Sequence, residues 1–204
     1  MARVTGPLMS FDASGTIAGA AVFSRWRGRN YVRRHAVPSN PKTGPQTAVR
    51  SNMKFLGAQY KLLPIDPLLW VDLADAGKFS EFNAYVQFNM RRSRLAAAPV
   101  ADPATIGTVP PAAPTVAGTP GTRSATLVIT PNGVPADWGY LIYRSLLADP
   151  SSDWSNLIAV IPGVASETYV DSPLLADTYI YAVRAFSQDG TQSLPTADET
   201  VIVP

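Results

Sequence analysis

Between residues 109 and 204 apolar and polar residues alternate in short runs, at 126–130, 139–144, 157–161, 168–171, 178–187 and 197–203, with Pro, Gly, Asp or Ser between them. Alternation at period two turns every second side chain to one face of a sheet. Runs this short and this regularly spaced must fold back on one another, so six or seven strands predict a β-sandwich of two packed sheets. The chain has no cysteine, so this sandwich has to be held by packing alone.

The stretch TYVDSPLLADTYIYAVRAFSQDGTQSLPT carries a threonine-aromatic strand, a leucine-bearing corner, then Tyr-x-aromatic-x-Val-x-Ala. It resembles the E-to-G region of fibronectin type III domains, and WGYLIYRS, with Tyr140, Ile142 and Tyr143, looks like their C strand. The resemblance implies that Tyr179 is the corner tyrosine, its hydroxyl bonded back to backbone, that Val183 and Ala185 are core residues, and that Asp189-Gly190 forms the F–G turn. It covers about 95 residues and departs at TLVITP, where Ile129 stands near the place of a core tryptophan.

In front of the sandwich lies RLAAAPVADPATIGTVPPAAPTVAGTP, rich in Ala and Pro and without helical or alternating period, which reads as an extended linker at 98–110. Charge changes sign across it. Residues 1–108 hold 14 Lys/Arg against 6 Asp/Glu, and residues 109–204 hold 3 against 9. Such segregation predicts two domains, a basic one at 1–97 and the acidic sandwich at 111–204, with different partners or with head-to-tail attraction between subunits.

The first 97 residues read as α+β. Strands are expected at 8–11, 16–26 and 31–37, forming a three-stranded meander with turns at 12–15 and around Gly28, and Pro38 and Pro41 end the last strand. Three helices are expected after it. The first opens at Pro45 and presents Val49, Met53, Leu56, Tyr60 and Leu63 as a core face covering the meander; Pro64 stops it. The second follows Asp66-Pro67 through LLWVDLAD, and the third is capped by Ser80, with Phe82, Tyr85, Val86, Asn89 and Met90 along one side. Arg91, Arg92 and Arg94 suit its C-terminal dipole.

Catalytic motifs are missing from the sequence. His35 is the single histidine, without a visible nucleophile, and no GxSxG, HExxH, P-loop or GxGxxG occurs, so neither an enzyme nor a metal or other cofactor is expected. No run approaches a membrane helix, and no membrane partner is expected. The constellation that stands out is Arg25, Trp26, Arg27, Arg29, Tyr31, Arg33 and Arg34, five guanidinium groups with two aromatics on one hairpin. Guanidinium forks grip carboxylates or phosphates, so the hairpin predicts docking on acidic protein surface, with nucleic acid ranked behind it; a plain solvated hairpin tip needs no partner.

A second signature spans Arg27, Gly28, Tyr31, Val32, Arg33, Pro38, Asn40, Pro41, Thr43, Gln46 and Arg50, then Phe82, Asn83, Tyr85, Val86 and Asn89. It is similar to the N-terminal region of uncharacterised phage and bacterial structural proteins. The first 15 residues lack the apolar stretch of a secretory signal, and the chain has no cysteine and no Asn-x-Ser/Thr sequon. Together these give the expectation of a bacteriophage virion protein made in the host cytoplasm, a capsid decoration or a head–tail or tail component, homo-oligomeric within a symmetric assembly and bound to other virion proteins. The alternatives are a surface glycan- or protein-binding module using exposed Trp138 and Trp154, and a nucleic-acid-binding protein.

Overall fold

The computed structural model describes residues 2–3, 15–17, 19–27, 29–37, 39–40, 42–62, 67–104, 107, 109–132, 138–146, 155–163 and 165–204. The strand expected at 8–11, Gly28, Pro38, Pro41, Leu63, Pro64, Asp66 and Trp154 lie outside the described residues. Two compact units divide the chain between Pro41 and Lys42.

The first unit is a small antiparallel sheet of β1 (Ala2–Arg3), β2 (Gly15–Ile17), β3 (Ala21–Trp26) and β4 (Arg29–Arg34), in the order β1-β4-β3-β2. The strand expected over 16–26 is two strands, because Gly19, at φ 67°, turns the chain between β2 and β3. The last strand ends at Arg34, three residues before Val37.

The second unit holds α1 (Gly44–Leu62), a 3-10 turn (Pro67–Trp70), α2 (Val71–Gly77), α3 (Glu81–Arg94) and seven strands: β5 (Thr115–Gly121), β6 (Ser124–Thr130), β7 (Gly139–Ser145), β8 (Leu157–Pro162), β9 (Glu167–Asp171), β10 (Asp177–Phe186) and β11 (Glu199–Val203). One sheet runs β5-β6-β9 and the other β11-β10-β7-β8, the three-plus-four arrangement of a fibronectin-type-III-like sandwich. The periodicity missed β5, whose TVAGTPG has little apolar contrast. Between the sheets Leu127, Ile129, Tyr140, Ile142, Tyr181, Val183, Ala185 and Val201 form the core.

The helices form a third layer on the outer face of the four-stranded sheet, where the meander had been expected to receive them. Phe55, Leu56, Trp70, Ala84 and Tyr85 share one buried cluster with Trp138, Leu141, Tyr143, Leu157, Val160 and Phe186. Both faces of β7 are therefore buried, as are those of most of β8. The α1 face that does this is Ala48, Asn52, Phe55, Leu56 and Gln59, while Val49 and Met53, expected in the core, are 38% and 44% exposed. Two polar residues belong to the buried face because each finds a partner far along the chain. Asn52 Nδ2 donates to Ser93 Oγ at 2.7 Å, and Gln59 Oε1 accepts from Trp138 Nε1 at 2.9 Å.

The cap of α3 is Ser80, whose hydroxyl oxygen accepts from the Asn83 N–H at 3.4 Å. Tyr85 and Asn89 are buried on this helix, whereas Phe82 is half exposed against Tyr60. Asn89 also ties down the segment beyond the helix: its Oδ1 accepts from the Val100 N–H at 2.7 Å and its Nδ2 donates to the Val100 carbonyl at 3.0 Å. Ala98 and Val100 are consequently buried, so the stretch expected as a linker begins inside the core. Its lack of charge and period is that of a packed irregular segment as much as of a spacer.

Candidate functional site

The pairing of β3 with β4 sorts the arginines. Trp26 stands opposite Arg29, Ser24 opposite Tyr31 and Val22 opposite Arg33; between them Arg25 stands opposite Asn30, Phe23 opposite Val32 and Ala21 opposite Arg34. Directly opposed residues share a face, so Arg29, Tyr31 and Arg33 lie on one side of the hairpin and Arg25, Asn30 and Arg34 on the other. Arg27 is in the turn at φ 48°, a left-handed position a non-glycine residue adopts at some cost. The five arginines expected as one constellation thus form two faces and a tip. All five are exposed, and Tyr31 is half buried. β1 places Arg3 opposite Tyr31, a neighbour the sequence reading did not connect with the cluster.

Arg29 and Arg33 are four residues apart on β4, about 13 Å along it with Tyr31 between them, so one face can meet two separate carboxylates or phosphates. Val22 and Ser24 beside them are half buried and supply neutral contact area. His35 lies just past β4, where its backbone N–H donates to the Ala20 carbonyl at 2.9 Å.

One of the two tryptophans expected as ligand contacts on the sandwich lies in the core. Trp138, expected as an exposed ligand contact, is 4% exposed. Its ring meets Phe55 and Phe186 edge to face, with centroids 5.3 and 6.0 Å away. Beside it the Asp189-Gly190 turn, with Gly190 at φ 80°, is held by the 96–109 segment: the Ala101 N–H donates to the Gln188 carbonyl at 2.8 Å, Gln192 Nε2 donates to the Ala96 carbonyl at 3.0 Å, and Thr191 Oγ1 donates to the Val109 carbonyl at 3.2 Å.

At the opposite end the Tyr179 hydroxyl donates to the Leu175 carbonyl at 3.3 Å; farther along β10 Val183 and Ala185 are fully buried. Asp171 Oδ2 accepts from Arg144 at 2.7 Å and from the Tyr181 hydroxyl at 2.9 Å, while Arg144 lies over the Tyr179 ring. This network joins the two sheets. Burial pushes the Tyr143 hydroxyl up to about 12, with Arg184 opposing the shift, so that hydroxyl stays protonated near neutral pH. Among the described residues no three His, Cys, Asp or Glu gather to hold a metal ion, and no helix is long and apolar enough to cross a membrane.

No family model matches the sequence, and no curated protein matches it. Among solved structures the chain is similar to an Fn3-like protein from Clostridium thermocellum, at 22% identity over 47% of this chain and 96% of that one, with TM-score 0.36. It is also similar to the FN1–FN3 domains of chicken CNTN1, at 16% identity over 46% of this chain and 32% of that one, TM-score 0.38. A third similarity is to the Clostridium perfringens spore cortex lytic enzyme SleM, at 17% identity over 46% of this chain, TM-score 0.36, where the match spans 29% of that enzyme's length. The fibronectin-type-III-like character of the sandwich rests on its own strand order and register.

Proposed function

We propose that this chain is a non-catalytic structural protein of a bacteriophage particle, a capsid decoration protein before a tail component, in which the basic first unit docks on acidic surface of neighbouring virion proteins. The observation that carries the reading is the exposed arginine hairpin in a unit of its own. Residues 1–41 hold 6 Lys/Arg against 1 Asp/Glu, and residues 42–204 hold 11 against 14. A small sheet with cations on both faces is suited to charged contact. The particle setting is supported by the RGxxYVR and NPxTxxQ signature, by the missing cysteines and by the missing sequon, and repetition of weak contacts over a symmetric particle would supply avidity.

The test is co-sedimentation of the purified chain with phage heads and with tails. Arg29→Glu with Arg33→Glu, and separately Arg25→Glu with Arg34→Glu, reverse one face at a time, and the docking face should lose at least about tenfold in apparent affinity. Absence of particle association in the unaltered chain, or association indifferent to both pairs, would sink the reading. Tight DNA binding whose logarithm falls steeply with the logarithm of salt concentration would favour a nucleic-acid partner instead.

A further inference from the structure

One flank of α1, between its buried face and a row of cations, is apolar. Val49 and Met53 are one turn apart and substantially exposed, Arg50, Lys54 and Lys61 flank them on the same side, and α1 has no acidic residue. This flank adjoins the buried Ala48, Asn52, Phe55, Leu56 and Gln59, with Val49 beside Leu56, and the cations Arg50, Lys54 and Lys61 lie opposite that buried face.

A complementary surface lies on the same unit, at the far side of the four-stranded sheet. The helices cover β7, β8 and the end of β10, and their buried cluster includes no residue of β11. There Thr178 stands opposite Ile202 and Ile180 opposite Thr200. Ile202 is 67% exposed, and Ile180, half-buried, shares its face. Asp177, exposed, lies at one end of this strand pair, opposite Val203. Residues 42–97 hold 8 Lys/Arg against 4 Asp/Glu, while 109–204 hold 3 against 9, so the two surfaces belong to oppositely charged parts of one unit.

We propose that the Val49/Met53 flank of α1 in one copy of this chain docks on the Ile180/Ile202 face of a second copy, with Lys54 against Asp177. This deepens the assembly reading and depends on it. The two patches differ, so the contact is head to tail: each copy presents one unused patch at either end, and copies add until the rotation closes a ring or continues as a filament. Helix on sheet is also how α1 already packs on β8, and exposed apolar area rimmed by charge is the surface type that association covers.

Sedimentation velocity of the full chain over a hundredfold concentration range, at low and high salt, reads the association. The expected result is concentration-dependent oligomers that weaken with salt. Met53→Glu and Ile202→Lys should each weaken association at least tenfold, and far-UV circular dichroism should stay unchanged because both side chains are exposed. Lys54→Glu should weaken it, and adding Asp177→Lys in the same chain should restore it. A monomer at every concentration, or oligomers indifferent to Met53→Glu and Ile202→Lys, would overturn this docking. Particle association of the same variants separates the two proposals: if it persists while self-association proves insensitive to these changes, the docking fails and the assembly reading stands.

Discussion

The Ser51 hydroxyl satisfies both backbone groups of Val160, accepting from its N–H at 2.8 Å and donating to its carbonyl at 2.8 Å. Val160 lies on β8, the last strand of its sheet, whose outward N–H and C=O groups would otherwise be open to another strand. A side chain of α1 therefore blocks an edge of the sandwich. At another edge Glu199 Oε1 accepts from the Gly118 N–H at 2.7 Å, tying β11 to β5.

Ser51→Ala is expected to destabilise the second unit by about 1–3 kcal/mol, because the part-buried Val160 groups lose their partner. Urea denaturation measures it. The same variant should aggregate sooner on heating, since an edge is freed.

Trp138 is a packing residue in this structure, and its substitution should be felt as lost stability. Trp138→Ala should cost about 3–5 kcal/mol, and Gln59→Leu, which keeps the volume but leaves the indole N–H unpaired, about 1–3 kcal/mol. Denaturation curves with near-UV circular dichroism will show both. An unchanged midpoint for Trp138→Ala would mean that the helices do not cover the sheet in solution.

Asp189 supplies a pH signature. Partial burial raises its carboxyl, but hydrogen bonds from Ser187 and from the Thr191 N–H and hydroxyl outweigh this and hold it below the ordinary aspartate range. A group depressed in the folded state contributes stability above its unfolded pKa and loses it as pH falls through the folded value. Stability should therefore drop below about pH 4, and Asp189→Asn should flatten that drop when midpoints are compared from pH 2 to 6.

The boundary between units can be tested by truncation. A fragment of residues 42–204 should unfold cooperatively with an m-value close to that of the second unit in the full chain. A fragment of residues 109–204 should aggregate or unfold, because it exposes Leu141, Tyr143, Val160 and Phe186 to water. A soluble, cooperative 109–204 fragment would contradict the three-layer packing.

The strands of the sandwich were legible because one face of each had to alternate against the other sheet, and the arginine hairpin because charge needs no partner to be visible. The third layer was legible in part. WGYLIY and NLIAVIP are continuous apolar runs, the mark of strands buried on both faces, and that departure from alternation could have pointed to a cover. The α1 face was misassigned because Asn52 and Gln59 look like surface residues until Ser93 and Trp138 are beside them.

By itself the sequence determined the local periods, the turn positions and the segregation of charge, since these depend on neighbours a few residues apart. Which sheet the helices cover, whether Trp138 is ligand contact or core and what the Ala/Pro-rich segment packs against were decided by contacts between residues tens of positions apart, and the division of the arginines into two faces and a tip by the register of β3 on β4. Those depend on which surfaces meet when the chain closes, and no local period encodes that choice.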